Sequence, residues 1–157
     1  MCVIFSSFYQ TTSCHVLSDM LSDLGCMIVP FDGYHLPMET LREMPDSADL
    51  IYRRGAPDTF DSIKLSEDLE RIRKGTEQVI KVPGFDHAKG DPSPDEHEFD
   101  RTKHRVVFCE GLYLLHDEEK WKHVKDHFDY SIFVEADVDA CIERLKIRNK
   151  VRGGEGM

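Results

Sequence analysis

The hydrophobic positions of this chain fall into short apolar runs that alternate with helical stripes. Val3 to Phe5 is a short run that predicts a buried strand. From Cys14 onward Val16, Leu17, Met20, Leu21 and Leu24 share one helical face, which stops at Gly25, a suitable residue just past a helix end. Cys26 to Val29 is a second buried strand, ended by Pro30, and its carboxyl end delivers Phe31 and Asp32 into a loop. Leu36 to Met44 predicts a short helix. Asp61 is a good N-cap for a helix whose stripe is Leu65, Leu69 and Ile72, closed by the basic residue Lys74 and then Gly75. A strand is predicted over Gln78 to Val82, stopped by Pro83.

From Gly84 to Lys103 the periodicity disappears among Gly90, Pro92, Pro94 and many acidic residues, which predicts a long loop of the functional or mobile kind. Two continuous apolar runs follow, Arg105 to Cys109 and Tyr130 to Val134, of the sort covered on both faces in parallel sheets. Trp121, Val124 and Phe128 lie between them at helical spacing, and Asp137 caps a last helix with Val138, Cys141, Ile142 and Leu145 on one face. Strands separated by helical segments imply βαβ units and a parallel sheet. Ligands of such sheets bind beyond the carboxyl ends of the strands. That rule gathers Asp32, Pro83 to His87, Glu110 with Gly111, and Glu135 along one edge.

Composition narrows the function classes. A chain of 157 residues that is 40% apolar and 32% charged fits a single globular domain, 1–157, and no apolar run approaches the roughly 18 residues of a membrane span. The amino terminus lacks the positive region and cleavage site of a secretory signal. Five scattered cysteines without a C-x-x-C pair point to free thiols in a reducing compartment, so a cytoplasmic protein is expected. A net charge of −10 argues against nucleic acid as a partner. Arg53 with Arg54, and the basic group from Arg144 to Arg152, instead suit a small anionic ligand or, for the second group, a solvated helix face.

Five segments occur in a fixed order: F-D-G-Y-H-L at 31–36, R-R-G-A-P-D-T-F-D at 53–61, V-P-G-F-D-H at 82–87, V-V-F-C-E-G-L-Y-L-L at 106–115 and E-R-L-K-I-R at 143–148. Together they resemble the uridine kinase and phosphoribulokinase family of P-loop kinases, especially its pantothenate-kinase-related branch with the G-A-P-x-T-F-D signature. The resemblance runs over about residues 14–150. It implies a three-layer α/β fold, a P-loop NTPase-like parallel sheet with helices on both faces, truncated here at both ends. It also implies an ATP-dependent phosphotransferase acting on a small hydroxylated metabolite, such as a nucleoside, pantothenate-like or sugar-like acceptor.

Roles follow from the same resemblance. Asp32 is the base for the acceptor hydroxyl, and Gly33 turns the chain without blocking substrate. The alternative reading of Asp32 is a cap for the next segment. Tyr34, His35, Arg54, Phe85, Asp86 and His87 are expected to contact substrate. Gly55, Ala56 and Pro57 are expected to shape a turn, and Thr59 and Asp61 to cap the following helix. Glu110 is expected to hold Mg²⁺ or its waters, with Gly111 permitting close approach. Arg144 and Arg148, four apart, match lid arginines over the phosphates of ATP. A metal site among His87, His97 and His104 is a rival reading without compact ligand spacing.

One element departs from the family. No G-x-x-x-x-G-K-[ST] occurs, and S-S-F-Y-Q-T-T-S fills residues 6–13, where only Ser13 fits the pattern. Glycines let backbone N–H groups wrap phosphate and the lysine neutralises its charge, so most of the donor site is replaced. Ser13 at a helix start is the remaining nucleotide contact. The rival function is a non-catalytic relative that binds a metabolite or protein partner, and a third is an unrelated α/β binding module.

Overall fold

The computed structural model describes residues 1–6, 10–133 and 137–153, with side chains undescribed at 4–6, 10–11, 145 and 148–153. Four strands form a parallel sheet: β1 (Cys2–Ser6), β2 (Cys26–Pro30), β5 (Val106–Glu110) and β6 (Tyr130–Phe133), in the spatial order β2-β5-β1-β6. Register sets their carboxyl ends level, since Pro30 lies opposite Glu110 and Glu110 opposite Phe5. The alternation along β5 explains why its whole run is apolar. Val106 and Phe108 join Val3 and Cys14 on one face, while Val107 and Cys109 join Val29, Phe31, Leu65, Leu69 and Trp121 on the other.

Helices supply both layers. On the first face lies α1 (Gln10–Met20), which buries Cys14 and partly buries Leu17, whereas Val16 and Met20 of the predicted stripe face solvent at 52% and 74% exposure. On the other lies α4 (Ser62–Lys74), with Leu65, Leu69 and Ile72 buried as expected. Asp61 caps α4 by accepting the Lys64 N–H at 2.8 Å, and Gly75 is its C-cap. The predicted short helix appears as α2 (Met38–Glu43), followed by α3 (Ser47–Tyr52). The last helix is α5 (Val138–Gly153), where Asp137 accepts the Ala140 N–H at 2.9 Å. Among the described residues no helix is long and apolar enough to cross a membrane.

Three expectations are corrected. The loop predicted from Gly84 to Lys103 is largely a β-ribbon: β3 (Val79–Asp86) runs on through Pro83 and pairs antiparallel with β4 (Asp91–Asp100) as a separate two-stranded sheet. Ile80 and Val82 alternate into the core at the start of β3, and beyond Pro83 the backbone ladder makes the ribbon. Pro83 is tolerated because a two-stranded ribbon leaves one side of each strand without a ladder partner and because the register shifts between Val82 and Gly84. The helix expected around Trp121 reduces to turns and a 3₁₀ segment, Val124–His127, held by the buried Trp121 and Val124. Finally, among the described residues β6 is not covered on both faces and pairs with β1 alone, and Tyr130 and Phe133 are 63% and 69% exposed.

Candidate functional site

The carboxyl end of β2 turns at once into a 3₁₀ segment, Phe31–Tyr34, and this turn carries the site. Its conformation is imposed by the segment Arg53 to Asp61. Leu36 donates to Thr59 O at 2.8 Å, Asp61 donates to Tyr34 O at 2.8 Å, and His35 bridges Phe60. Phe60 stacks on Phe31 with ring centroids 4.2 Å apart. Within R-R-G-A-P-D-T-F-D, Gly55 has φ +107°, a conformation that favours glycine. Thr59 is fully buried; its Oγ1 accepts from Gly55 N at 2.9 Å and donates to Ala56 O at 2.8 Å. Thr59 therefore closes the turn, and only Asp61 caps the helix.

The turn faces a cleft of about 1250 Å³ that runs between β2 and the β3–β4 ribbon. Asp32 is half-exposed there, with Glu110 on the same cleft from the neighbouring strand end. His35 donates from Nδ1 to Asp32 O at 2.8 Å, and its ring lies between Phe60 at 4.0 Å and Phe85 at 5.1 Å. Burial pushes the His35 imidazole below its ordinary range, against the opposing pull of Asp32, so the ring is held neutral. His87 continues the row at 5.2 Å from Phe85. Asp32, His35, Phe85, His87 and Glu110 thus share one cleft, which sequence order had only brought to one edge.

Other expected residues stand elsewhere. Tyr34 is 1% exposed and points away from the cleft, donating to the buried Asp68 Oδ2 at 3.2 Å; burial drives its phenol well above the usual range. Asp86 caps the ribbon turn instead: its Oδ1 accepts from Ala88 N and Lys89 N at 2.9 and 3.1 Å, and these bonds hold its carboxyl below the ordinary value. Arg54 lines the cleft with both terminal nitrogens engaged, while its Nε is buried without a hydrogen-bond partner. Nη2 donates to Leu36 O at 3.0 Å and to Asp91 Oδ1 at 2.6 Å, and Nη1 donates to Gly90 O. Asp91 also accepts the Met38 N–H at 3.0 Å, so Arg54 and Asp91 fasten the ribbon tip to the acceptor turn.

The two glycines next to the carboxylates answer to packing. A Cβ on Gly33 would stand 2.5 Å from Pro83 O, so β3 and not substrate occupies that space. A Cβ on Gly111 would meet the Phe31 ring at 2.5 Å. Ser13 is half-buried within α1. Arg144 is exposed on α5 and is not among the cleft-lining side chains, and the Arg148 side chain, Glu135 and residues 7–9 lie outside the described residues. Among the described residues no three metal-ligating side chains converge.

Sequence reasoning missed Glu96 and Glu98 of β4 and His15 of α1 as cleft residues, and named His97 and His104, which also line the cleft, only as rival metal ligands. A strand pattern would have exposed the β4 residues, but the prolines and acidic residues concealed it.

Comparison with known proteins supplies a family. The model of the phosphoribulokinase/uridine kinase family matches residues 40–156. The ATP-dependent kinase-like protein notR′ of Aspergillus versicolor is 39% identical over 125 residues, 78% of this chain and 72% of its own. The ATP-dependent kinase YFH7 of Saccharomyces cerevisiae is 36% identical over 124 residues, and this chain spans only 35% of its length. A solved Silicibacter sp. TM1040 structure, named for a fructose transport system kinase, superposes with a TM-score of 0.85 at 28% identity, covering 98% of this chain and 73% of that one. The circularly permuted structure of yeast YFH7 gives 0.73 at 31% identity, covering 85% and 48%.

Proposed function

The chain belongs to the phosphoribulokinase/uridine kinase family, and on that premise we propose that it is a kinase of a small hydroxylated metabolite whose acceptor hydroxyl is deprotonated by Asp32. One observation carries the reading: Asp32 and Glu110, from the level ends of adjacent parallel strands, line the same cleft. Phosphoryl transfer needs a positioned hydroxyl, one carboxylate to accept its proton, and charge neutralisation on the phosphoryl side. Asp32 is solvent-accessible and held on a turn whose backbone is fixed by the Thr59–Asp61 bonds, so it can approach a bound hydroxyl without rearrangement. His35, neutral and lodged between two phenylalanine rings, orients the acceptor beside it.

Glu110 suits Mg²⁺, which takes one or two protein carboxylates and completes its shell with water and phosphate oxygens. When bound, Mg²⁺ would neutralise charge on the transferring phosphoryl group. The residues fit ATP less well. From the last residue of β1 into the first turn of α1 the sequence 6–13 has neither glycine nor lysine, so a glycine-loop phosphate cradle is not built from this segment. That observation favours a second reading, in which this polypeptide binds the acceptor without transferring phosphate.

The test combines a Mg²⁺–ATP titration with a phosphoryl-transfer assay across hydroxylated metabolites. Saturable nucleotide binding in the range below roughly 1 mM, with transfer reduced about 10²–10⁴-fold by Asp32→Asn at unchanged nucleotide affinity, is the expected result. Unchanged turnover in Asp32→Asn would refute the base assignment. Acceptor binding without nucleotide binding would establish the second reading.

A further inference from the structure

The tautomer of His35 is fixed by its partner. Its Nδ1 lies 2.8 Å from Asp32 O, a backbone carbonyl that can only accept, so the proton of this bond sits on Nδ1. Turning the ring over would put carbon in that place and lose the bond, and the ring is packed between Phe60 at 4.0 Å and Phe85 at 5.1 Å. Burial keeps the imidazole neutral against the pull of Asp32. A neutral imidazole with its proton on Nδ1 carries a lone pair, and no proton, on Nε2.

That lone pair belongs to the cleft. His35 lines it, with only 13% of the side chain exposed. Among the described residues the enclosed side-chain nitrogens without a partner are Arg54 Nε and His116 Nε2, so His35 Nε2, which has no hydrogen bond to protein there, opens on the cleft. Asp32, the proposed base, is the neighbouring acceptor, its Oδ1 4.0 Å from His35 Nδ1. Two acceptors therefore stand side by side. A substrate that turned an ether oxygen, a ketone or a halogen toward Nε2 would set lone pair against lone pair and leave that nitrogen buried and unsatisfied, the mismatch a polar site rejects most strongly. Donors on neighbouring carbons, each reaching about 2.8 Å, span acceptors so placed.

Resting on the proposed acceptor role of this cleft, we infer that His35 determines specificity: its Nε2 accepts a hydrogen bond from a second O–H or N–H of the acceptor, adjacent to the hydroxyl that reacts. The substrate class is then a vicinal diol, a polyol or an amino alcohol. Alcohols whose neighbouring group has lone pairs but no proton are discriminated against.

The test begins with the tautomer in the unmodified full chain. Long-range proton–nitrogen NMR at about pH 8, above the ordinary imidazole value, with the ring assigned through its contacts to Phe60 and Phe85, should find His35 protonated at Nδ1 alone. Two probes are then titrated, cis-1,2-cyclohexanediol and cis-2-fluorocyclohexanol, which differ by one hydroxyl; fluorine is the smaller group, so size cannot account for its rejection. The diol should bind roughly three- to tenfold tighter and shift the Nε2 signal, whereas the fluoro alcohol should leave that signal in place. In His35→Asn the carboxamide can still donate to Asp32 O but nothing replaces Nε2, so the ratio between the probes should fall to about one. A ring protonated at Nε2 in the free chain, equal binding of the two probes, a preference retained in His35→Asn, or no binding by either overturns the inference. None of these readouts involves phosphoryl transfer, so the two readings separate. Diol preference in a chain that transfers nothing would defeat the kinase reading alone, and Asp32-dependent transfer to the fluoro alcohol as readily as to the diol would defeat this one alone.

Discussion

Tyr34 donates a hydrogen bond to Asp68 from the underside of the turn whose upper side carries Asp32. The carboxylate that receives it is 1% exposed and is balanced by Lys64 Nζ at 2.6 Å and Arg71 Nη1 at 3.2 Å, so the acceptor turn is tied to α4 through a buried charge network. Tyr34→Phe keeps the ring's packing and removes one bond to a charged acceptor. A loss of about 1–3 kcal/mol in urea denaturation is expected. A variant as stable as the parent would show that the network holds Asp68 without Tyr34.

Arg54 is expected to act first on the ribbon. Arg54→Ala should free the ribbon tip at Gly90 and Asp91, raising amide exchange across His87 to Asp91 and lowering stability by about 1–3 kcal/mol. Arg54→Lys should not restore protection, because one ammonium cannot reproduce the fork that reaches Leu36, Gly90 and Asp91 together. Unaltered exchange in Arg54→Ala would leave the cation available for a ligand.

Gly33→Ala tests whether β3 or a substrate sets the glycine requirement. The added methyl would press on Pro83 O, a backbone atom that moves only with the strand, so a cost of about 1–3 kcal/mol is expected without any ligand present. A neutral substitution would return the space to substrate.

Thr59→Val is nearly isosteric but strands the Gly55 N–H inside the turn and leaves Ala56 O with only the Thr59 backbone N–H, for an expected loss of about 1–3 kcal/mol. Asp61→Ala, which removes only the α4 cap, should cost about 1 kcal/mol. Equal effects would mean that the two residues do the same work.

Stability should fall on acidification in two stages. His35 and His127 both have imidazoles pushed down by burial, so the unfolded chain takes up protons first. Stability declines as pH drops through the ordinary imidazole value, about 6.5, and stops declining below the folded-state values. Asp100 behaves oppositely in origin but with the same sign. Bonds from Thr102 and Lys103 lower its pKa to about 2, so its contribution is complete above the ordinary carboxylate value and is lost as pH falls toward about 2. Denaturant midpoints at successive pH values check this, and His35→Gln should flatten the upper stage.

The parallel sheet, the capped helix α4 and the strand ends bearing Asp32 and Glu110 were legible in the sequence because local signals and burial agree there. An apolar run with a proline or glycine stop, or an aspartate three residues before the N–H it caps, records its own structure. The family was legible for the same reason, through segments such as R-R-G-A-P-D-T-F-D whose residues bond mainly to one another and to F-D-G-Y-H-L. The tertiary structure alone decided which side of a turn each residue faces. Tyr34 and His35 are neighbours, yet one enters the core and the other the cleft, because Asp68 waits beneath and Phe60 and Phe85 flank above. It alone turned an acidic, proline-interrupted stretch into the ribbon that walls the cleft, and it paired Arg54 with Asp91, 37 residues away. A backbone ladder and an ion pair between distant residues leave no periodic trace in the chain, and here they set the charge of the site.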